Sequence, residues 1–246
     1  TECQRSTVLS NGKEHVSTIE HALAALYALG VDNCHIKVDG PEFPILEGSA
    51  QLYVENIQRV GIVEQEAEKV YLVVDETVEY RDAQSGSVLK IEPADEFSVS
   101  VVVSFDGSSI SDQHADLMHM ADFPTEIAAA RTFVFVRDIE PLLAAGLIKG
   151  GDLDNAIVLY ERELPQERFD RIADAMKVPR MDAKLLGYIN HRPLVWDNEP
   201  ARHKLLDIIG DLSLVGRPLK GHVTAYRPGH RVNNQLARLI RQKFKN

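Results

Sequence analysis

The feature that most constrains the fold is a change of hydrophobic period along the chain. Apolar residues alternate with polar ones through residues 70–104, as in half-buried strands, whereas later segments repeat at helical spacing. The predicted strands lie at 70–74, 78–81, 88–91, 98–104, 132–136, 156–159 and 222–225. The predicted helices lie at 138–145, 166–176, 201–215 and 230–243. Strands and helices mixed in this order predict an α+β fold.

The first 66 residues predict a smaller unit. Ser17 and Glu20 have the spacing of a capping box, and the apolar pattern behind them ends at Gly30, which predicts a helix. A strand is predicted at 34–39, a loop at 42–48 and a helix at 49–60, followed by a polar linker at 64–69. We therefore predict two unequal α+β domains, residues 1–66 and residues 67–246.

Composition excludes several classes of protein. The 246 residues carry 37 acidic and 27 basic side chains, a formal charge of −10, which argues against a general nucleic-acid binder. No apolar run approaches the about 18 residues that span a bilayer. Two cysteines, Cys3 and Cys34, are too few for a disulfide scaffold, so a reducing cytoplasm is the expected location.

Two short patterns bear possible metal ligands. Glu20-His21 opens a predicted helix, where the imidazole is able to bind a metal and the carboxylate to accept a proton beside it. The alternative is a capping glutamate next to an incidental exposed histidine. His203 and Asp207 are four residues apart, which on a helix places both on one face. The alternative there is an ordinary surface pair.

A third pattern is His230, which follows Pro228-Gly229 and so begins a helix. A helix N-terminus lowers the pKa of an imidazole unless a carboxylate compensates, and Asp211 is a candidate for that carboxylate. The alternative is a plain helix-start residue. His114 and His119 are weaker candidates, in a connector at 112–122 that fits a solvated loop better than a surface metal site.

Taken together, His21, His203 and Asp207 supply two nitrogens and one oxygen. Three protein ligands leave a fourth zinc position open, as in catalytic rather than structural sites. The chemistry indicated is metal-assisted hydrolysis of a carbonyl compound. This interpretation assumes that residues 21 and 203 meet in space, which spacing alone does not establish.

Several stretches resemble the UDP-3-O-acyl-N-acetylglucosamine deacetylases of lipid A synthesis. They include VSTIEHALAAL at 16–26, DGPEFPI at 39–45, ARTF at 130–133 and HKLLDIIGDL at 203–212, and they occur in the family's order across nearly the whole chain. The resemblance implies two α+β domains of related topology that sandwich helices between sheets, with the active site at their junction. It also implies Zn²⁺ as the cofactor.

The resemblance assigns roles to individual residues. Zinc would be held by His21, His203 and Asp207. Glu20 would take a proton from the water that attacks the acetamide, and His230, held by Asp211, would protonate the leaving amine. Thr132 would hydrogen-bond the tetrahedral oxyanion, and Lys204 would contact the diphosphate or another polar group of the substrate.

The family binds the acyl chain in a channel built from an insert, expected here near residues 159–200. Candidates for acyl contact are Phe133, Phe135 and Leu147. A helical stripe in the insert fits either a channel wall or ordinary core; it consists of Phe169, Ile172, Ala173 and Met176. Because the substrate tail is partly embedded in membrane, peripheral membrane contact at most is expected.

Two departures from the family pattern concern the chain ends. Family members carry further strands before the point matching Thr1, so the first domain is expected to be incomplete here. Some relatives continue into a hydroxyacyl-carrier-protein dehydratase, so a fused or associated dehydratase is an expected partner. Two rival hypotheses stay open: a non-catalytic fragment that binds a nucleotide-sugar or a partner, and a zinc amidase acting on another acylated amine.

Overall fold

The centre of the fold is a mixed β-sheet. The computed structural model describes residues 6–105, 110–139, 155–176, 178–189 and 192–244. The strands of this sheet are β3 (Leu72–Val73), β4 (Val78–Asp82), β5 (Ser87–Glu92), β6 (Phe97–Val103), β7 (Gln113–Leu117) and, numbered after three strands given below, β11 (Leu219–Tyr226). Their order is β4-β5-β11-β6-β7, and β3 pairs with the start of β11. The chain is an α+β protein.

Strand β11 lies between two strands that are far from it in sequence. It runs antiparallel to β5 and parallel to β6, with Val223 opposite Ile91 on one side and Val99 on the other. All three of these side chains are buried. The alternation predicted from the sequence therefore has a clear origin, since one face of each strand enters the core.

The described helices include α1 (Glu20–Ala28), α2 (Gln51–Val60), α3 (Phe123–Glu126), α4 (Gln166–Met176), α5 (Glu199–Ser213) and α6 (His230–Lys243). Two of them, α5 and α6, pack directly against this sheet. Helix α5 is buried along most of its length because it contacts β6 and β7 on one side and α1 on the other. Helix α6 contacts α5 and also β4 and β5. Polar residues on α5 therefore face other helices rather than solvent.

A second, smaller sheet carries its own hydrophobic cluster. It consists of β8 (Phe133–Phe135), β9 (Ile157–Tyr160) and β10 (Gly187–Ile189), in the order β10-β9-β8. Helix α4 covers it: Phe169, Ile172 and Ala173 are buried there, with Met176 against them, and the Phe169 ring lies 4.5 Å from that of Tyr160. In this structure the helical stripe is therefore core.

Several local predictions were wrong. Residues 34–39 are exposed, and they form no strand because no described strand pairs with them. The capping box does not form either: α1 begins at Glu20, and Ser17 Oγ donates to the Pro41 carbonyl instead. The connector at 112–122 contains β7 rather than only loop. Also missed were β10 and the hairpin of β1 (Leu9–Ser10) and β2 (His15–Val16).

Two further points concern the helices. The helix predicted at 138–145 lies mostly outside the described residues. None of the helices in the described part of the chain is both long and apolar enough to cross a membrane.

Candidate metal and active site

Three helices bring the candidate site together. The first turn of α1 provides Glu20 and His21, one face of α5 provides His203, Asp207 and Asp211, and the first residue of α6 is His230. All six of these side chains are buried. The local patterns of the sequence, which were separate along the chain, therefore meet at one place.

Close packing of α1 on α5 depends on a glycine. A Cβ atom at Gly210 would lie only 2.2 Å from the backbone oxygen of Glu20. The missing side chain lets the start of α1 rest directly on α5, one turn from Asp207. The helix axis spacing that brings His21 to His203 follows from this contact.

Two strained turns lead into the site. Thr18 and Arg227 adopt left-handed backbone conformations, with φ of 56° and 54°, shortly before Glu20 and His230 respectively. This conformation is unfavourable for residues with a Cβ, and such residues concentrate at functional sites. At Thr18 the hydroxyl donates to Glu42 Oε1 at 2.5 Å, which anchors the turn.

The possible metal ligands lie close enough to share one ion. The ligand atoms of His21, His203 and Asp207 all lie within 4.8 Å of one another. Asp207 Oδ1 is 3.4 Å from His203 Nε2 and 4.0 Å from His21 Nε2. His203 Nδ1 lies 3.0 Å from the Ala130 carbonyl and so carries its proton on that side, which leaves Nε2 free as a ligand.

The residues present fit a metal ion. Asp207 Oδ1 is buried and has no hydrogen-bond partner among the described residues. Buried carboxylate oxygens are normally paired, because desolvation without a partner is costly. An unpaired oxygen between two imidazole nitrogens is the arrangement of a ligand set, and the N, N, O donors suit zinc or a similar divalent ion.

The protonation of the three residues supports the same reading. Burial, together with neighbouring His203, lowers the pKa of His21 to about 3. Burial also lowers the pKa of His203. For Asp207, burial raises the pKa, but Lys204 and the histidines outweigh it and lower the pKa well below its usual value. The set therefore presents two neutral imidazoles and one carboxylate, the forms that bind metals.

Glu20 and His230 face each other beside the ligand set. His230 Nε2 lies 3.7 Å from Glu20 Oε1 and 3.7 Å from Asp207 Oδ2, and His230 Nδ1 lies 3.0 Å from Asp211 Oδ2. Burial raises the pKa of Glu20 to about 7, although His230 opposes the shift. Burial lowers the pKa of His230, but Asp211 and Asp207 outweigh it and raise the pKa to about 9.

Of the remaining predicted residues, Lys204 and Phe133 lie at the rim of the ligand set. Lys204 Nζ is 2.7 Å from Asp207 Oδ2 and 5.2 Å from the centre of the Phe133 ring, which is 6.4 Å from the His203 ring. The main chain of Thr132, between Ala130 and Phe133, bonds to Gly48 and Ile157.

The two other residues predicted to contact the acyl chain are Phe135 and Leu147. Phe135 packs on Phe133 with ring centres 6.0 Å apart, and the Arg137 guanidinium lies 4.1 Å from the centre of the Phe135 ring. Leu147 lies outside the described residues.

The structure also adds residues that the sequence did not single out. Thr7 and Asn233 are buried and both hydrogen-bond to Asp211. Arg131 and Glu199 form a buried ion pair, with Arg131 Nε 2.8 Å from Glu199 Oε1. The backbone N–H of Arg131 donates to the same oxygen, which fixes the segment whose Ala130 carbonyl contacts His203. Each of these contacts joins residues far apart in the chain, so no spacing pattern in the sequence marks it.

Comparisons with known proteins match the whole site region. The family model described as LpxC, UDP-3-O-acyl N-acetylglycosamine deacetylase, matches residues 1–176 and 181–242. The bifunctional enzyme LpxC/FabZ of Bacteroides thetaiotaomicron is 59% identical over 245 residues, covering 100% of this chain and 53% of the relative. That of Porphyromonas gingivalis is 55% identical over 242 residues, covering 98% and 52%.

The chain is also similar to a relative whose name gives the deacetylase alone. The UDP-3-O-acyl-N-acetylglucosamine deacetylase of Anaeromyxobacter sp. is 42% identical over 237 residues, covering 96% of this chain and 69% of the relative. The chain spans about half the length of the bifunctional relatives. With the family model matched over nearly all of its residues, the chain belongs to the UDP-3-O-acyl N-acetylglycosamine deacetylase family.

Proposed function

We propose that this protein is a zinc-dependent deacetylase that removes acetate from UDP-3-O-acyl-N-acetylglucosamine, an early step of lipid A synthesis. The observation that carries the proposal is the buried group of His21, His203 and Asp207 with Glu20 and His230 beside it. The name of the Anaeromyxobacter relative supports the substrate. The reaction adds water to the acetamide, breaks its C–N bond and yields acetate and a free amine.

His21, His203 and Asp207 would hold the metal. When bound there, zinc polarises a carbonyl and acidifies water. Glu20 is the residue next to this set whose carboxylate has no metal-ligand role, and it is the proton acceptor for the attacking water. Its pKa of about 7 makes it a stronger base than an exposed glutamate while leaving it partly ionised near neutral pH.

His230 provides the proton that the leaving amine needs. With a pKa of about 9, its imidazole is protonated near neutral pH, and Nε2 points toward Glu20 and the ligand set. Asp211 accepts from Nδ1 and thereby orients the ring. Acid and base are separated by environment: desolvation favours the neutral form of Glu20, and two carboxylates favour the charged form of His230.

The remaining roles concern substrate binding. In this proposal Thr132 hydrogen-bonds the oxyanion, Lys204 contacts a polar group of the substrate, and Phe133, Phe135 and Leu147 contact the acyl chain. The same proposal includes two domains, at 1–66 and 67–246, with an acyl-chain insert near 159–200. It also includes a cytoplasmic location, peripheral membrane contact and a fused or associated dehydratase. The bifunctional relatives support the dehydratase.

The test is acetate release from UDP-3-O-acyl-N-acetylglucosamine by protein stripped with a chelator and then given one equivalent of zinc. We expect no turnover after stripping and restored turnover with zinc. Turnover that persists in fully stripped protein would contradict the proposed dependence on zinc. A protein that binds one zinc without releasing acetate would reject the reaction, and preference for a simpler acetylated amine in competition would favour a zinc amidase of other specificity.

A further inference from the structure

One buried residue touches both halves of the proposed acid–base pair. Thr7 is 1% exposed and lies just before the β1–β2 hairpin, remote in sequence from α5 and α6. Its backbone N–H donates to Glu20 Oε2 at 3.0 Å. Its hydroxyl donates to Asp211 Oδ1. A single residue therefore joins the carboxylate of α1 to the carboxylate of α5.

The direction of these hydrogen bonds follows from the groups involved. An ionised carboxylate only accepts, so the Thr7 hydroxyl proton points to Asp211, and the hydroxyl oxygen accepts from Asn234 Nδ2 at 3.1 Å. The other oxygen of Asp211, Oδ2, accepts from Asn233 Nδ2 at 2.8 Å and faces His230 Nδ1 at 3.0 Å. Both oxygens of Asp211 are thus assigned to different donors.

This arrangement fixes how the Asp211 carboxylate is rotated. With Oδ1 held by Thr7, Oδ2 is left to accept from His230 Nδ1 at 3.0 Å, which keeps a proton of the imidazole on Nδ1, and the Thr7 hydroxyl oxygen itself lies 3.4 Å from the same nitrogen. The Nε2 atom is then directed toward Glu20. On the opposite side, the Thr7 amide occupies Glu20 Oε2 and leaves Oε1 as the oxygen that faces His230.

We propose that Thr7 is a positioning residue that orients Glu20 through its amide and His230 through the Asp211 carboxylate. The catalytic consequence rests on the proposed function, whereas the orientation of His230 does not. Thr7 acts through other residues and needs no contact with substrate or metal. Loss of an outer-shell partner of this kind costs roughly 10- to 100-fold in activity or metal affinity.

The test compares zinc-loaded wild-type protein with Thr7→Val, which keeps the shape and removes the hydroxyl, and Thr7→Ser, which restores it. A matched control is Ser98→Ala, which removes another buried hydroxyl beside a histidine, 2.8 Å from His222 Nδ1 in the sheet. The measurements are zinc per chain, kcat and KM for acetate release, and the ring-nitrogen and Nδ1-proton resonances of His230.

For Thr7→Val we expect one zinc per chain, a kcat lower by roughly 10- to 100-fold with KM little changed, and a displaced His230 Nδ1 proton resonance. Thr7→Ser should recover most of the kcat and the resonance. Ser98→Ala should leave both unchanged. A Thr7→Val protein with wild-type kcat and an unmoved resonance would overturn the proposal, as would a Thr7→Ser protein equally impaired.

Two further outcomes remain decisive. If wild-type protein releases no acetate, the proposed function fails, and the His230 resonance in Thr7→Val still decides whether Thr7 orients that ring. If Thr7→Val does not fold, the wild-type protein provides the answer. There, the Thr7 hydroxyl proton should exchange slowly with water and show a dipolar contact with the His230 Nδ1 proton, and its absence would overturn the proposal.

Discussion

Gly210 lies against the main chain of Glu20, so close that a Cβ atom at position 210 would be 2.2 Å from the Glu20 oxygen. The contact is between backbone and backbone, and neither helix end is able to move aside without moving site residues. Glu20 and His21 lie at that end of α1, and Asp207 and Asp211 flank Gly210 on α5. The contact that packs α1 on α5 therefore also sets the positions of the site residues.

Gly210→Ala should test this relationship. Alanine normally stabilises a helix by roughly 1 kcal/mol relative to glycine, but here overpacking of about 1–3 kcal/mol should reverse the sign. We expect lower stability in urea and weaker zinc binding. The control is Gly40→Ala, where an added Cβ meets nothing within 4 Å. A Gly210→Ala protein as stable as wild type with full zinc affinity would contradict the packing argument.

Asp207→Ala should weaken zinc binding by more than the roughly 10- to 100-fold that loss of an outer-shell partner costs. The reason is that Asp207 Oδ1 lies between the two imidazoles and has no hydrogen-bond partner among the described residues. Metal analysis after dialysis against graded chelator measures the affinity. The exposed Asp116 on β7 offers a control, Asp116→Ala, which should retain wild-type affinity. Equal affinities in the two variants would remove Asp207 from the ligand set.

Glu20→Gln should separate chemistry from metal binding. The amide keeps the shape of the side chain but is not a proton acceptor of comparable strength, so kcat should fall by about 10²- to 10⁴-fold while zinc per chain stays the same. Glu167→Gln is the matched control, since Glu167 is exposed and also lies in the first turn of its helix. Retained turnover in Glu20→Gln, or loss of its zinc, would show that Glu20 has another role.

The pH dependence of kcat/KM should be bell-shaped. In the proposed mechanism Glu20 is a base only when ionised, so activity should fall as pH decreases through its pKa of about 7. His230 is proposed as an acid, which it is only when protonated, so activity should fall as pH increases through its pKa of about 9. A bound cation favours the ionised carboxylate and the neutral imidazole, which places both limbs at or below these values. A flat profile between pH 5 and 10 would be inconsistent with both roles.

Glu199→Gln should destabilise the protein strongly. Removing one charge of a buried ion pair leaves the other uncompensated, at a cost of about 3–5 kcal/mol, and Arg131 is only 5% exposed. The control is Asp174→Asn, which breaks the exposed pair of Asp174 with Arg180 and should change stability little. Denaturation midpoints compare them. Similar midpoints in the two variants would mean that the buried pair does not hold the Ala130 segment in place.

Sequence periodicity predicted the elements whose signals are local. Helices at 166–176 and 230–243 were predicted with the bounds of α4 and α6, because each combines an amphipathic pattern with a clear start. The strand predicted at 34–39 was wrong. Alternation of apolar and polar residues produces a strand only where a neighbouring strand forms hydrogen bonds with it. Strand β7 was missed because it is a short edge strand whose outward residues are polar.

The site shows the same division between local and distant information. His203 and Asp207 were grouped by helical spacing, and the structure brings them within 3.4 Å. Grouping His21 with them rested on the assumption that residues 21 and 203 meet in space, which the family resemblance also implied, since spacing does not report contacts between distant segments. Thr7 and Glu199 were not predicted, because a lone residue that hydrogen-bonds to a site residue leaves no periodic trace in the sequence.

The packing of α1 on α5 also has a consequence for how this chain tolerates change. The candidate ligands come from two helices in direct contact, while most of the chain, including β3–β7 and the second sheet, lies between them. Within that segment the entropy of closing a surface connection between two elements rises only slowly with its length. Insertions and deletions confined to those surface connections should therefore alter the exposed surface at little cost to the ligand set, so that the two are free to diverge independently.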